Sequence, residues 1–454
     1  MKNLLYNCIV VLCMIIPFSS CEKYLDAKPD QALATPSTLK DLEAIVNSGQ
    51  INNLNPVAGD ILSDYYELDD AAWAALNDVT ARETYIFGNQ TYHDFDWQNG
   101  YNLIFRANVA LDGLDLITVP AKELQRANMI KGSALFLRAF AHYQLIQVFC
   151  MPYNPGTAKQ TLGIVLKLSS DLKEKIMRSN MEDSYASLIK DLSQAAELLP
   201  AVREYKTQPN KAACYHLLAR LYLIMGENEK AEDYANRALA IDATLIDYNS
   251  LNAASANPFA LFNAEVIFQA FGSSRGGIFI ANIARVNPAL YQSYGDKDLR
   301  KYLFFSKNAN GSYAFKGDYS GRNNGNLFAG LAIDELYLIK AETEVRQGRF
   351  EDGLKTLNTL LIKRFKTGGF IPLVANNRED ALDTVLMERR KELLFRTNIR
   401  FADIKRLSLD AEHAVVVERK IGAGIYTLAV GDLRYANLIP LNTVNLSGVI
   451  QNDR

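Results

Sequence analysis

The sequence predicts a mainly α fold of tetratricopeptide-like helical repeats, with a loop-rich insertion and few short strands. Three observations predict it. Apolar residues recur at helical spacing over most of the chain. Between Ala212 and Ala243, large and small residues alternate in the order of a tetratricopeptide repeat. Tyr215, Leu218 and Tyr222 are its bulky positions, Ala219, Ala231 and Ala238 are the small positions where paired helices come closest, and Gly226 supplies the turn. A second copy starts near Asp334, with Tyr337, Ala341, Gly348, Phe350 and Leu361 at matching spacings and Gly353 in place of the expected alanine. Gly226 and Gly348 stand 122 residues apart, no multiple of the ~34-residue period, so an insertion divides the repeats and interrupts the helical array.

Taken in order, residues 1–20 read as a signal peptide: Lys2, an apolar run from Cys8 to Phe18 broken by Pro17, then two serines before Cys21. The run is too short to span a bilayer. Ser19-Ser20-Cys21 resembles a bacterial lipobox, which makes Cys21 the expected lipidation site and residues 21–36 a tether. The N-terminal helical region, 37–248, opens with an amphipathic helix from Thr38 to Asn47, capped from Thr35-Pro36-Ser37 and burying Leu39, Leu42 and Val46. Gly59 to Trp97 is aromatic-rich and weakly periodic, hence loop. A long helix follows from Gln98, and Trp97 belongs to its core by spacing from Tyr101 and Ile104. A second long helix ends before Pro152, and a third runs from Glu182 to Leu199. The insertion, 249–330, is mostly loop with one strand-like run at Glu265–Gln269, and 331–454 holds the second repeat and a helix from Arg378 to Phe395. Residues 21–454 are expected to form one compact unit.

Composition narrows the function classes. An apolar share of 49% and a charged share of 22% are those of ordinary globular proteins, and a net charge of -2 offers no broad attraction to nucleic acid. Beyond Cys21, only Cys150 and Cys214 remain in the folded body, both in apolar helical patterns, so buried thiols are expected rather than a disulfide framework. His93, His142, His216 and His413 lack a second ligand at helical spacing, so no metal and no cofactor is expected. Asp296-Lys297-Asp298 lacks the further oxygen ligands of a calcium loop and reads as a turn pairing with Arg300. Glu388 and Glu392, interleaved with Arg389, Arg390 and Lys391, read as helix-to-helix ion pairs rather than a catalytic carboxylate pair. Gly272 to Gly277 lacks the lysine and hydroxyl residue of a phosphate loop.

The order of motifs resembles the SusD/RagB family of outer-membrane nutrient-binding lipoproteins, over nearly the whole chain. Cys21 with Tyr24-Leu25-Asp26 and Pro29 resembles the family's lipidated start, and Tyr101, Ile104, Ala107 and Asn108 its first core helix. Lys131 to Ala139, with Tyr143, Leu145 and Pro152, resembles the second. Asp334 to Glu342, Glu388 to Phe395 and Arg400 to Arg406 resemble its C-terminal helices, while Arg396 to Ile399 replaces the usual glycine-containing link. The resemblance implies a SusD-like α-α superhelix, lipid-anchored at the cell surface. It implies a protein that caps a SusC-like TonB-dependent outer-membrane transporter and delivers oligosaccharides or peptides without catalysis. The alternative is a tetratricopeptide-type lipoprotein scaffold for outer-membrane assembly or protein contacts.

Sugar recognition needs an aromatic face for the ring and amide, carboxylate or guanidinium groups for the hydroxyls. In the first loop Asp60, Asp64, Tyr65, Tyr66, Trp73 and Arg82 supply that mixture and resemble the family's ligand-facing loop; the alternative role for each is to staple the loop to the array. In the insertion the candidates are Tyr291, Tyr294, Tyr313, Tyr319, Arg322 and Asn323, expected on a surface beside the first loop.

Overall fold

The computed structural model describes residues 36–49, 52–273, 277–280, 283–322 and 324–454. The predicted signal peptide, Cys21 and Asn323 lie outside the described residues. Ten helices of eight or more residues are found among the described residues: α1 Leu39–Val46, α2 Asp94–Asp115, α3 Leu124–Phe149, α4 Met181–Leu198, α5 Lys211–Met225, α6 Asn228–Ile241, α7 Ile333–Arg346, α8 Phe350–Leu361, α9 Arg378–Glu392 and α10 Ile399–Leu407. None of them is long and apolar enough to cross a membrane.

Local sequence explains where they begin and stop. Thr38, rather than the residues before it, caps α1, because Asp41 three positions on completes a reciprocal capping box. The second helix starts at Asp94, four residues ahead of the expected Gln98: Asp94 and Asp96 in its first turn favour the positive end of the helix dipole, and Trp97 is drawn into the core. Ala58–Leu62, Asp70–Ala74 and Val79–Tyr85 form short helices in the stretch expected to be loop, the last two capped by Asp69 and Asp78. Helix α3 is buried on every side from Gly132 to Phe149, so it shows little amphipathic contrast. Gly226, at φ +77°, ends α5 as expected.

Through most of the array a helix packs on its successor: α2 on α3, α3 on α4, α4 on α5, α5 on α6, α7 on α8, and α9 against both α7 and α8. Helix α6 packs directly on α7. The insertion therefore interrupts the array in sequence but not in space, which corrects the expected break. Its two ends are brought together by Val266–Phe268 pairing antiparallel with Leu331–Ala332, so the inserted residues loop out from a closed base. Gly353 has a physical reason as well: a Cβ there would lie 2.5 Å from Val345 and 2.7 Å from the Ala341 carbonyl, closer than an alanine allows.

A second, aromatic core lies under the first loop and the insertion, containing Tyr65, Tyr66, Tyr85, Tyr248, Phe304, Phe305, Tyr319 and Phe395. It is locked to the array through α9. Arg300 binds Asp298 at 2.8 Å, Glu388 at 2.6 Å and Glu392 at 3.0 Å, and Arg364 binds Glu392 at 2.6 Å and Glu265 at 2.8 Å. Both arginines are fully buried, so the ion pairs are satisfied from several sides. The expected Asp298–Arg300 turn and the structural role of Glu388 and Glu392 are thus both observed. Cys150 and Cys214 are buried and unbridged.

Candidate functional site

The first loop and the insertion meet through a short antiparallel ladder, in which Tyr66 faces Val286 and Glu67 faces Arg285. Asn287 N–H donates to the Tyr65 carbonyl at 2.8 Å, and Arg285 forms an ion pair with Asp69. Two short helices are tied together this way: Asp70–Ala74, capped by Asp69 and carrying Trp73, and Pro288–Gln292, capped by Asn287 and carrying Tyr291.

Six of the expected ligand contacts belong to this scaffold instead. Tyr65 donates to the Leu393 carbonyl at 2.9 Å, Tyr66 to Ile61 at 3.1 Å and Tyr294 to Lys391 at 2.8 Å, while Tyr319 donates to Glu265 at 2.8 Å. All four rings are buried. Asp60 is buried and accepts from Asn398 N–H at 3.0 Å; desolvation raises its carboxyl well above the ordinary range, with Asp96 and Asp318 adding to the rise. Asp64 is gripped by both ends of the Arg400 fork at 2.7 and 2.8 Å and by Arg390 at 3.0 Å. Burial works to raise its pKa, but the two guanidiniums outweigh it and hold the carboxyl well below the usual range. Polar groups spent on such internal bonds are not offered to a ligand.

The remaining described candidates reach the surface. Tyr291 and Tyr313 are half-buried and stacked, with ring centroids 3.6 Å apart and planes within 15°. Phe305 packs edge-on against Tyr291 at 5.3 Å, and the hairpin of Phe305–Lys307 with Tyr313–Phe315 holds the pair in register. Desolvation and the neighbouring Tyr313 hydroxyl push the Tyr291 phenol up, so it remains a protonated donor. Trp73 is half-buried, donates Nε1–H to the Arg82 carbonyl at 3.0 Å and has the Arg82 guanidinium 5.5 Å from its ring. Arg322 is exposed and lies 3.7 Å over the Phe271 ring.

Sequence reasoning missed the groups that frame the tyrosine pair. Lys301 Nζ lies 5.6 Å from the Tyr291 ring and binds Asp296 at 2.6 Å. Tyr302, 39% exposed, donates to the Asp296 carbonyl at 3.1 Å and carries Lys366 Nζ 4.6 Å over its ring. The signal available was the short spacing from Tyr291 to Tyr302; Lys366 is distant in sequence and gave none. The assembled face offers aromatic carbon, phenolic donors, two ammonium groups and a carboxylate, the set of contacts that a sugar ring and its hydroxyls require.

Comparison with known proteins bears on the family. A family model described as SusD-like, starch-binding and associating with the outer membrane matches residues 23–223. SusD-like protein P2 of Formosa agariphila is 25% identical over 376 residues, covering 70% of this chain and 72% of its own. Among solved structures, a SusD superfamily protein from Bacteroides thetaiotaomicron superposes with a TM-score of 0.74 at 20% identity, covering 92% of this chain and 100% of its own. Surface glycan-binding protein A from Bacteroides uniformis gives a TM-score of 0.68 at 16% identity, covering 91% and 99% respectively. These structural likenesses establish a SusD-like fold, and the matched family model makes residues 23–223 similar to the SusD-like family.

Proposed function

We propose that this protein is a non-catalytic cell-surface lipoprotein that captures oligosaccharides and delivers them to a SusC-like TonB-dependent outer-membrane transporter. The stacked Tyr291–Tyr313 pair carries the reading: it is half-exposed, held by a hairpin, and framed by Lys301, Tyr302, Asp296 and Lys366. Trp73 and Arg82, tied to the same region through the Tyr66–Val286 ladder, extend the candidate surface. The protein's role is binding: the Glu388 and Glu392 carboxylates that could suggest hydrolysis are neutralised under Arg300, Arg364 and Lys391. Lipid chains on Cys21 would contribute about 0.8 kcal/mol per buried methylene, so two or more give stable anchoring. A fully extended tether of residues 21–36 would reach at most about 60 Å, which would keep the binding face at high local concentration beside a channel.

Two measurements test the proposal. Electrophoresis of the purified mature protein through gels containing neutral or acidic polysaccharides is expected to show retardation in at least one. Detergent extraction of the lipidated protein from native membranes is expected to copurify a large β-barrel transporter. Unretarded migration in every gel together with extraction as a lone chain would contradict the reading.

A further inference from the structure

A cleft of about 360 Å3 opens where the segment before Ala58 meets α2, and none of its lining residues is among the candidates assigned above. Its polar lining is four carboxamides, Asn53, Asn55, Asn99 and Asn102, and a single charged group, Arg106; Leu54 adds apolar wall. The composition is selective. The cleft beside the Val417–Leu428 hairpin is lined by Glu67, Asp69, Arg285, Glu418, Arg419 and Lys420, a site for charge. In the asparagine cleft an ionic ligand meets one charged side chain, itself bonded to Asn102, and a purely apolar one would leave Asn99 Nδ2 without a partner.

Within the fold Asn53 Nδ2 is used on the Gly49 carbonyl, Asn55 Nδ2 on the Phe271 carbonyl and Asn102 Oδ1 on Arg106. What remains for a ligand is the unused half of each amide, single donors and acceptors that suit the hydroxyls of a neutral sugar. Several of these groups are pre-positioned. Asn55 is anchored by its backbone N–H and its Nδ2, both donating to the Phe271 carbonyl at 3.1 and 3.0 Å. Asn102 Oδ1 accepts from Arg106 Nε at 3.1 Å, which aligns the two on one turn of α2. Asn99 Nδ2 is enclosed with no protein acceptor, so a ligand oxygen reached by a small rotation of the amide would complete it.

We propose that the asparagine cleft is a second saccharide site, specific for a neutral sugar unit and independent of the Tyr291–Tyr313 face. The choice of ligand class rests on the glycan-binding reading above; the location and the neutrality of the site rest on the cleft itself.

Native mass spectrometry of the full mature chain with a panel of neutral probes (maltotriose, cellotriose and chitotriose) counts the bound equivalents. Asn99→Ala with Asn102→Ala removes two amides from α2, where alanine suits the helix, so the melting temperature is expected to hold. With at least one probe the wild type is expected to bind two equivalents. The Asn99→Ala, Asn102→Ala protein and the Tyr291→Ala, Tyr313→Ala protein should each bind one, and affinity at the cleft should fall at least tenfold in the former. One equivalent lost with the asparagines and kept without the tyrosines would uphold the cleft and contradict the tyrosine face. One equivalent lost with the tyrosines and unchanged by the asparagine substitutions would overturn the cleft alone. No binding of any neutral probe would overturn it as well.

Discussion

Tyr65 and Tyr313 are the same side chain given opposite duties by their surroundings. Tyr65 is buried with its hydroxyl on the Leu393 carbonyl, 328 residues away in sequence, whereas Tyr313 stacks on Tyr291 at the surface. Tyr65→Phe is therefore expected to cost about 1 kcal/mol of stability and leave glycan affinity unchanged, as chemical denaturation and calorimetry would show. This is also why the site was only partly legible in sequence. Residue types mark the aromatic loops, but the acceptors that bury Tyr65, Tyr294 and Tyr319 lie on distant α9 or in the insertion base, and no local pattern announces them. Asp318 gives a titration signature. Desolvation pushes its carboxyl up to about 6 despite hydrogen bonds from Ser320 and Phe328. A carboxyl raised in the folded state holds its proton after the unfolded chain has released it, so stability falls as pH rises from the ordinary value near 4 to about 6 and is level above. Relative to Asp318→Asn, the native protein should lose up to about 3 kcal/mol across that window, read from melting curves at stepped pH. A difference constant with pH would contradict this.

The helices were legible because their information is local. The alternation around Gly226 and the periodicity that runs the third helix from Glu182 to Leu199 are readable within one or two turns. The junctions between elements were not. That α6 rests on α7 across the insertion, and that the insertion is pinned to α9, depends on Arg300 and Arg364 reaching Glu388, Glu392 and Glu265 from far along the chain. Arg364 also lies 4.1 Å over the Tyr248 ring, joining the ion pairs to the aromatic core. Replacing it by methionine keeps most of the volume, leaves buried Glu265 without its cation and leaves Glu392 to Arg300 alone. Arg364→Met should destabilise by about 3–5 kcal/mol, with the loss seen in thermal and chemical melts. Proteolysis of that variant should begin in the insertion, because its pin is removed while α2 to α6 keep their own contacts. First cuts within α2 to α6 would show that the pin is not where the elements are joined.

At the scale of the molecule, a rigid helical array closes the base of a loop-built face, and Thr38–Arg454 packs as one unit. Anchoring and binding are then separable properties. Cys21→Ala is expected to leave the melting temperature and glycan affinity nearly unchanged while moving the protein from the membrane fraction to the soluble fraction; a variant that fails to fold would contradict the tether. The central claim is that the tyrosine face captures oligosaccharide. Calorimetric titration of the native protein and of the Tyr291→Ala, Tyr313→Ala variant with the glycan that retards it tests this most directly. Loss of two aromatic stacking contacts, each worth about 0.5–1.5 kcal/mol, predicts an affinity weakened by roughly 10-fold or more at unchanged melting temperature. Equal affinity for the two proteins would contradict it.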